Sequence, residues 1–227
     1  MLKFCLLCFS YLDEYREQEL RSSLWATNFC SRCQQRLLQL TSGKRCLFEY
    51  RGAGTPQFME LVHLFEYREP LRNLILRAKV KSDVKTIESL IQVGLSRIEV
   101  QKLSEWAEII MPIPSSLWGR CRGRFDIAYL LAQALSEKYH RILQTAPFSC
   151  HWHIKKRAMK KNRKRKEIPT VQRLSNDGEE IQNPITTSRK RILLVDDIVT
   201  TGYSMISIAE KLEYSEVKAL ALAEALK

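Results

Sequence analysis

The stretch Ile192-Leu-Leu-Val-Asp-Asp-Ile-Val-Thr-Thr-Gly-Tyr-Ser204 carries the residues best suited to chemistry. An apolar run that reads as a buried strand ends in two acids. A short loop of hydroxyls and one glycine follows, and a helix begins at Ser204. Ligands of open α/β sheets sit at the carboxyl ends of strands, and the free amides of a helix start bind phosphate without a cation. Gly202 lets the backbone approach a phosphate closely, and Thr200, Thr201 and Ser204 add hydroxyl donors. Asp196 and Asp197 would repel a phosphate and must face something else. Vicinal sugar hydroxyls or a hydrated Mg²⁺ suit them. The alternative is a short strand whose acids are merely solvated ahead of a Thr N-cap.

A second group is made of thiols. Cys5 and Cys8 form one C-x-x-C pair, Cys30 and Cys33 another, with 21 residues between the pairs. Each pair can hold one edge of a metal ion, and two complete a tetrahedron. Four thiolates leave no open position, so such a zinc site is structural. The alternative is four unrelated buried thiols. Cys46, Cys121 and Cys150 stand alone. His63 lies in an apolar segment that reads as helical, where packing is expected rather than ligation.

A third group is basic. From Lys155 to Lys166, nine of twelve residues are Lys or Arg, and without them the formal net charge falls from +12 to +3. Such a run is either a solvated segment or a phosphate-contacting arm. Trp152, between His151 and His153, lies just upstream and suits base stacking on a single strand. The candidate nucleic-acid residues are Trp152, Lys160, Lys161, Arg163, Lys164, Arg165 and Lys166.

The elements that must position these groups follow from apolar patterning. Residues 1–50 lack a long periodic segment and read as a metal-stapled module, with 52–56 as a linker. Residues 57–80 read as amphipathic helices broken near Pro70, and helix continues from Thr86 to Val100. Residues 107–114 read as a buried strand ended by prolines. Phe125–Tyr139 reads as a helix with Ala128, Leu131, Ala132 and Leu135 on one face. A polar, flexible insertion covers 150–190. Strand 191–195, helix 204–212 and strand 217–223 close the chain. Alternating helices and continuous apolar strands predict a parallel-rich α/β sheet covered on both faces, filling 57–227. The 227 residues are 45% hydrophobic and 27% charged, which excludes a disordered or collagen-like chain. No apolar run is long enough for a membrane span. No signal peptide is recognisable, and unevenly spread cysteines argue against a disulfide framework, so a cytoplasmic protein is expected.

Residues 192–204 closely resemble the phosphoribosyl-pyrophosphate motif of type I phosphoribosyltransferases. That resemblance implies Asp196 and Asp197 on the ribose 2′ and 3′ hydroxyls, and Thr200, Thr201, Gly202, Tyr203 and Ser204 around the 5′-phosphate. Purine-salvage enzymes of the wider fold carry an acid where Thr200 stands, and Thr-Thr-Gly-x-Ser is more similar to the orotate type. The cysteine pairs, the segment Phe65-Glu-Tyr-Arg-Glu-Pro-Leu-Arg-Asn-Leu-Ile75 and Met111-Pro-Ile-Pro114 extend the likeness. With Arg122-Gly-Arg-Phe-Asp-Ile127 in place of an R-G-F-N-Q pattern, most of the chain resembles the ComF family. Those are bacterial competence-associated proteins with a phosphoribosyltransferase domain behind a zinc module.

The resemblance implies a type I phosphoribosyltransferase-like sheet with helices on both faces, preceded by a small zinc-binding module. It implies Mg²⁺ bound with phosphoribosyl pyrophosphate, and pyrophosphate-side contacts at Ser115, Ser116, Arg122 and Arg124. Two functions follow from it. One is participation in DNA uptake, binding single-stranded DNA and a phosphoribosyl-type ligand beside a helicase-like competence partner. The other is an active phosphoribosyltransferase serving an unidentified acceptor. No catalytic base is identifiable.

Overall fold

Four consecutive apolar residues, Ile192 to Val195, can all be buried only in a strand covered on both faces. The computed structural model places them so. It describes residues 4–10, 28–41, 45–52, 55–114, 125–145, 148–151, 170–173, 190–212 and 215–225. In chain order the elements are α1 (Ser31–Leu38), β1 (Arg45–Gly52), β2 (Thr55–Glu66), α2 (Leu71–Lys81), α3 (Val84–Leu95), α4 (Ile98–Trp106) and β3 (Ile109–Pro112). Then come α5 (Ile127–Tyr139), β4 (Ile142–Leu143), β5 (Phe148–His151), β6 (Thr170–Arg173), β7 (Arg191–Val199), α6 (Tyr203–Ala209) and β8 (Glu216–Glu224).

Six strands form one sheet in the order β1-β2-β8-β7-β3-β4. Every neighbouring pair is parallel except the edge hairpin β1–β2. The fold is therefore α/β with a mostly parallel sheet, as the patterning predicted. Side chains alternate across it. Leu193, Val195, Leu220 and Leu222 face one layer with Val62, Leu64 and residues of α1 to α5. Ile192, Leu194, Ala219 and Ala221 face the other, where α6 supplies Met205, Ile208 and Ala209.

Three expectations are corrected by tertiary structure. Residues 57–66 are strand, not helix. Leu61, Val62, His63, Leu64 and Phe65 are all buried, which one helical stripe cannot do and a central strand does. In the expected linker, Gly52 and Thr55 are paired across β1 and β2, and Pro56 lies in β2. Residue 50 lies in β1, which pairs with β2 at the edge of the sheet. The helix expected over 86–100 is broken between α3 and α4, where Arg97 is extended and its guanidinium donates to the carbonyls of His63 and Leu64. A Cβ on Gly94 would lie 2.4 Å from Leu64 Cδ1, so a larger residue where α3 crosses β2 would have to displace the Leu64 side chain.

Other elements follow local signals. In α5, Asp126 is the N-cap and accepts from the Tyr129 amide. The helix buries Ala128, Leu131, Ala132 and Leu135 as predicted, together with Ile127. In α3, Asp83 caps the amide and hydroxyl of Thr86. The polar insertion contains the antiparallel pair β5–β6.

Candidate functional site

Strand β7 carries Asp196 and Asp197 past the buried Val195, at the carboxyl end of the parallel sheet. Both acids are half-buried. They are not simply solvated. Asp196 Oδ1 accepts from the Asp197 amide at 2.8 Å, and Asp197 Oδ1 from the Ile198 amide at 2.6 Å. Asp197 Oδ2 meets Lys79 Nζ of α2 at 2.5 Å. Burial, and then the Asp197 charge beside it, push the Asp196 carboxyl up to about 8. The charge of Asp126, at the head of α5, adds to this push. The pair therefore holds one carboxyl pushed toward keeping its proton and one in ion-pair contact with the Lys79 side chain. Such a pair offers both a hydroxyl donor and acceptor oxygens, which suits neighbouring hydroxyls on one ligand.

The loop after the strand brings Thr200 to Ser204 to the same end. Gly202 is the N-cap of α6 with φ 72°, a left-handed conformation that glycine adopts without cost. A second constraint acts there. A Cβ at 202 would lie 2.7 Å from Cε1 of Phe48 in β1. The edge hairpin thus packs its Phe48 ring against the loop's glycine. Thr200 and Tyr203 are exposed, while Thr201 and Ser204 are half-buried.

The cysteine group is assembled as predicted. The sulfurs of Cys5, Cys8, Cys30 and Cys33 all lie within 4.8 Å of one another, with Cys8 and Cys30 at 3.7 Å. A tetrahedral zinc with Zn–S near 2.3 Å sets its sulfurs about 3.8 Å apart, so the donor set could hold a metal such as zinc. The first knuckle turns through Phe9 at φ 61°, with the Cys5 amide on the Ser10 carbonyl and the Phe9 amide on the Cys5 carbonyl. The second is the start of α1, where Cys30 is the N-cap and its amide donates to Cys5 Sγ at 3.3 Å. Burial pushes the Cys30 and Cys33 thiols up. Hydrogen bonding with the Ser10 hydroxyl and backbone brings Cys8 down to about 6. A bound divalent cation would favour thiolate at all four.

Four residues near the acids were not singled out in the sequence. Lys79 and Asp126 shape the charge of the acid pair, and Phe48 packs against Gly202. Glu224 closes β8 opposite Val199 and lies 2.9 Å from Nδ1 of the buried His63. His63 is therefore packed, as expected, but on a strand and beside a carboxylate. Nothing local marks Lys79, because its contact spans 118 residues. The predicted pyrophosphate-side residues Ser115, Ser116, Arg122 and Arg124 lie outside the described residues. So do Trp152, Lys160, Lys161, Arg163, Lys164, Arg165 and Lys166. Their segment runs from His151 to Thr170, which pair with each other in β5–β6.

Among the described residues, no helix is long and apolar enough to cross a membrane. No protein family and no curated protein matches the chain. Among solved structures, the chain is similar to a purine phosphoribosyltransferase from Pyrococcus horikoshii Ot3, at 16% sequence identity and a TM-score of 0.32. The match covers 56% of this chain and 77% of that one. Likeness at this level leaves function to the residues of the site.

Proposed function

We propose that the chain is a phosphoribosyltransferase-like protein of the ComF type that binds a phosphoribosyl ligand at the end of β7. One observation supports the reading: Asp196 and Asp197 are consecutive near the carboxyl end of a central parallel strand, two residues before a Thr-Thr-Gly loop with Gly202 left-handed. Asp196 and Asp197 hold the ribose hydroxyls, and Thr200, Thr201, Gly202, Tyr203 and Ser204 surround the 5′-phosphate. Ser115, Ser116, Arg122 and Arg124 serve the pyrophosphate side. In this reading the chain's residues act by positioning, which is most of what transfer from an activated sugar requires. The acid pair fits hydroxyls better than a bare cation, because an ammonium already lies on Asp197. Mg²⁺ keeps much of its water and binds through substrate phosphates, so it would arrive with the diphosphate and neutralise it. The cysteine cluster holds a structural zinc.

The basic run supports a second component. Nine cations in twelve residues suit a nucleic-acid backbone, and Trp152 suits stacking. We infer a cytoplasmic role in DNA uptake, with single-stranded DNA and a helicase-like partner. An active phosphoribosyltransferase with an unidentified acceptor is the alternative.

Calorimetry with phosphoribosyl pyrophosphate and Mg²⁺, with and without single-stranded DNA, tests both. Binding that survives in the Asp196→Asn, Asp197→Asn double variant removes the loop assignment. For DNA, affinity should fall with salt by about 0.7 log units per log unit for each phosphate contacted, for a total slope of about 3–5. Neutralising Lys160, Lys161, Arg163, Lys164, Arg165 and Lys166 should flatten that slope; an unchanged slope returns the run to a solvated segment.

A further inference from the structure

Lys79 belongs to no motif, yet its position is built. Helix α2 buries Leu71, Leu74, Ile75 and Ala78 against the sheet. Lys79 follows one residue after Ala78 and one turn after Ile75, at the margin of that buried stripe. Its side chain is 27% exposed, so the stem packs while the ammonium reaches the end of β7. There it meets Asp197 Oδ2 at 2.5 Å, while the Ile198 amide holds Oδ1 of the same carboxylate. The ammonium is thus aimed at one side of the acid pair.

Charge makes this placement informative. The Asp197 and Asp126 charges both act on Asp196 at this end of the sheet, and an anionic ligand would meet that negative charge. Among the described residues, Lys79 is in direct ion-pair contact with the group. A sugar whose 2′ and 3′ hydroxyls sit on the acid pair has its anomeric carbon next to the carbon that bears the 2′ hydroxyl. With Asp197 on the 2′ hydroxyl, the Lys79 ammonium that touches it lies on the side of the ring that carries the anomeric substituent. An ammonium has three donors. With one on Asp197, it can also hold a phosphate oxygen.

We propose that Lys79 is a specificity-determining binding residue of this site, a cation that receives the diphosphate on the anomeric carbon of the sugar ligand. This rests on the phosphoribosyl reading of the site. Lys79 would then distinguish an activated sugar, with its diphosphate in place, from a spent sugar 5-phosphate. The Asp197 contact holds the ammonium ready when no ligand is present.

The test is calorimetry on the full chain with Mg²⁺, using phosphoribosyl pyrophosphate and ribose 5-phosphate as separate probes. Lys79→Met keeps the apolar stem and removes the charge, while Lys79→Arg keeps the charge. The expected result is a loss of roughly tenfold or more for the diphosphate ligand in Lys79→Met, with less than about a twofold change for ribose 5-phosphate. Lys79→Arg should retain most of the affinity. Equal losses for both ligands would overturn the proposal, because Lys79 would then only orient Asp197. An unchanged affinity for the diphosphate ligand would overturn it too. If the wild-type chain binds neither probe, the phosphoribosyl reading falls and this proposal with it. Lys79→Gln carries the same comparison if Lys79→Met does not fold.

Discussion

Asp196 is held in a place that suits a ligand better than it suits the folded chain. Its carboxyl is pushed up to about 8 by burial and by Asp197, against roughly 3.9 for an unperturbed Asp. Between those values the folded chain keeps a proton that the unfolded chain releases. Stability contributed by this group is therefore present at low pH and is lost as pH rises through the folded value. Asp196→Asn should remove the penalty. We expect the variant to melt roughly 2–4 °C higher than wild type at pH 8, on the basis of about 1 kcal/mol and the scaling for a chain of this size. The difference should shrink toward pH 5, and ligand binding should be lost. Melting curves from pH 5 to 8.5 check this, and a variant less stable than wild type at pH 8 would contradict it. A gain in stability with a loss of binding is the signature of a residue kept for function.

Among the elements, the turn from β7 into α6 depends on a glycine for two separate reasons. Gly202 has φ 72°, and the Phe48 ring occupies the space a Cβ would need. Gly202→Ala should cost about 1–3 kcal/mol, from left-handed backbone strain plus the clash. It should also displace the loop amides and weaken the proposed phosphoribosyl binding. Phe48→Leu in the same chain should recover part of the stability, because it relieves the clash and leaves the φ strain. Chemical denaturation of the two single variants and the double variant gives the coupling, expected above about 0.5 kcal/mol for residues in contact. Strict additivity would mean that the ring does not press on residue 202.

Across the whole molecule, the cysteine cluster and the sheet share one apolar core. Cys5, Phe29, Cys33, Leu37 and Leu40 cluster with Leu64, Leu90 and Leu220. The Glu66 amide donates to the Leu40 carbonyl, and the Arg77 guanidinium meets both the Leu6 carbonyl and the Phe9 ring. Losing the metal should therefore be felt beyond the knuckles. We expect about one zinc per chain in reduced, freshly purified protein, the number four thiolates hold. Chelation or Cys30→Ser should lower the melting temperature of the whole chain in a single transition. Two separated transitions would show instead that the module melts alone, and an absence of zinc would remove the metal from the site.

Much of this was legible in residue order because it depends on local rules. The C-x-x-C pairs state their own chemistry, and the sulfurs converge. Four apolar residues, two acids, Ile-Val and then a Thr-Thr-Gly turn read as a covered strand ending in a polar loop. The apolar face of α5 was readable for the same reason, since helical spacing places Ala128, Leu131, Ala132 and Leu135 together. What only the tertiary structure decided involves partners distant in sequence. Residues 57–66 carry apolar spacing compatible with a helix, and they become strand because a slot between β1 and β8 buries both of their faces. The hairpin turn at 52–55 looks like a linker until its flanks are seen paired. Lys79 became a residue of the site only when α2 folded back over the sheet and brought an ammonium to a carboxylate 118 positions away. Side-chain spacing records which face of an element is apolar. Which face of another element it meets is set by the packing of the whole chain.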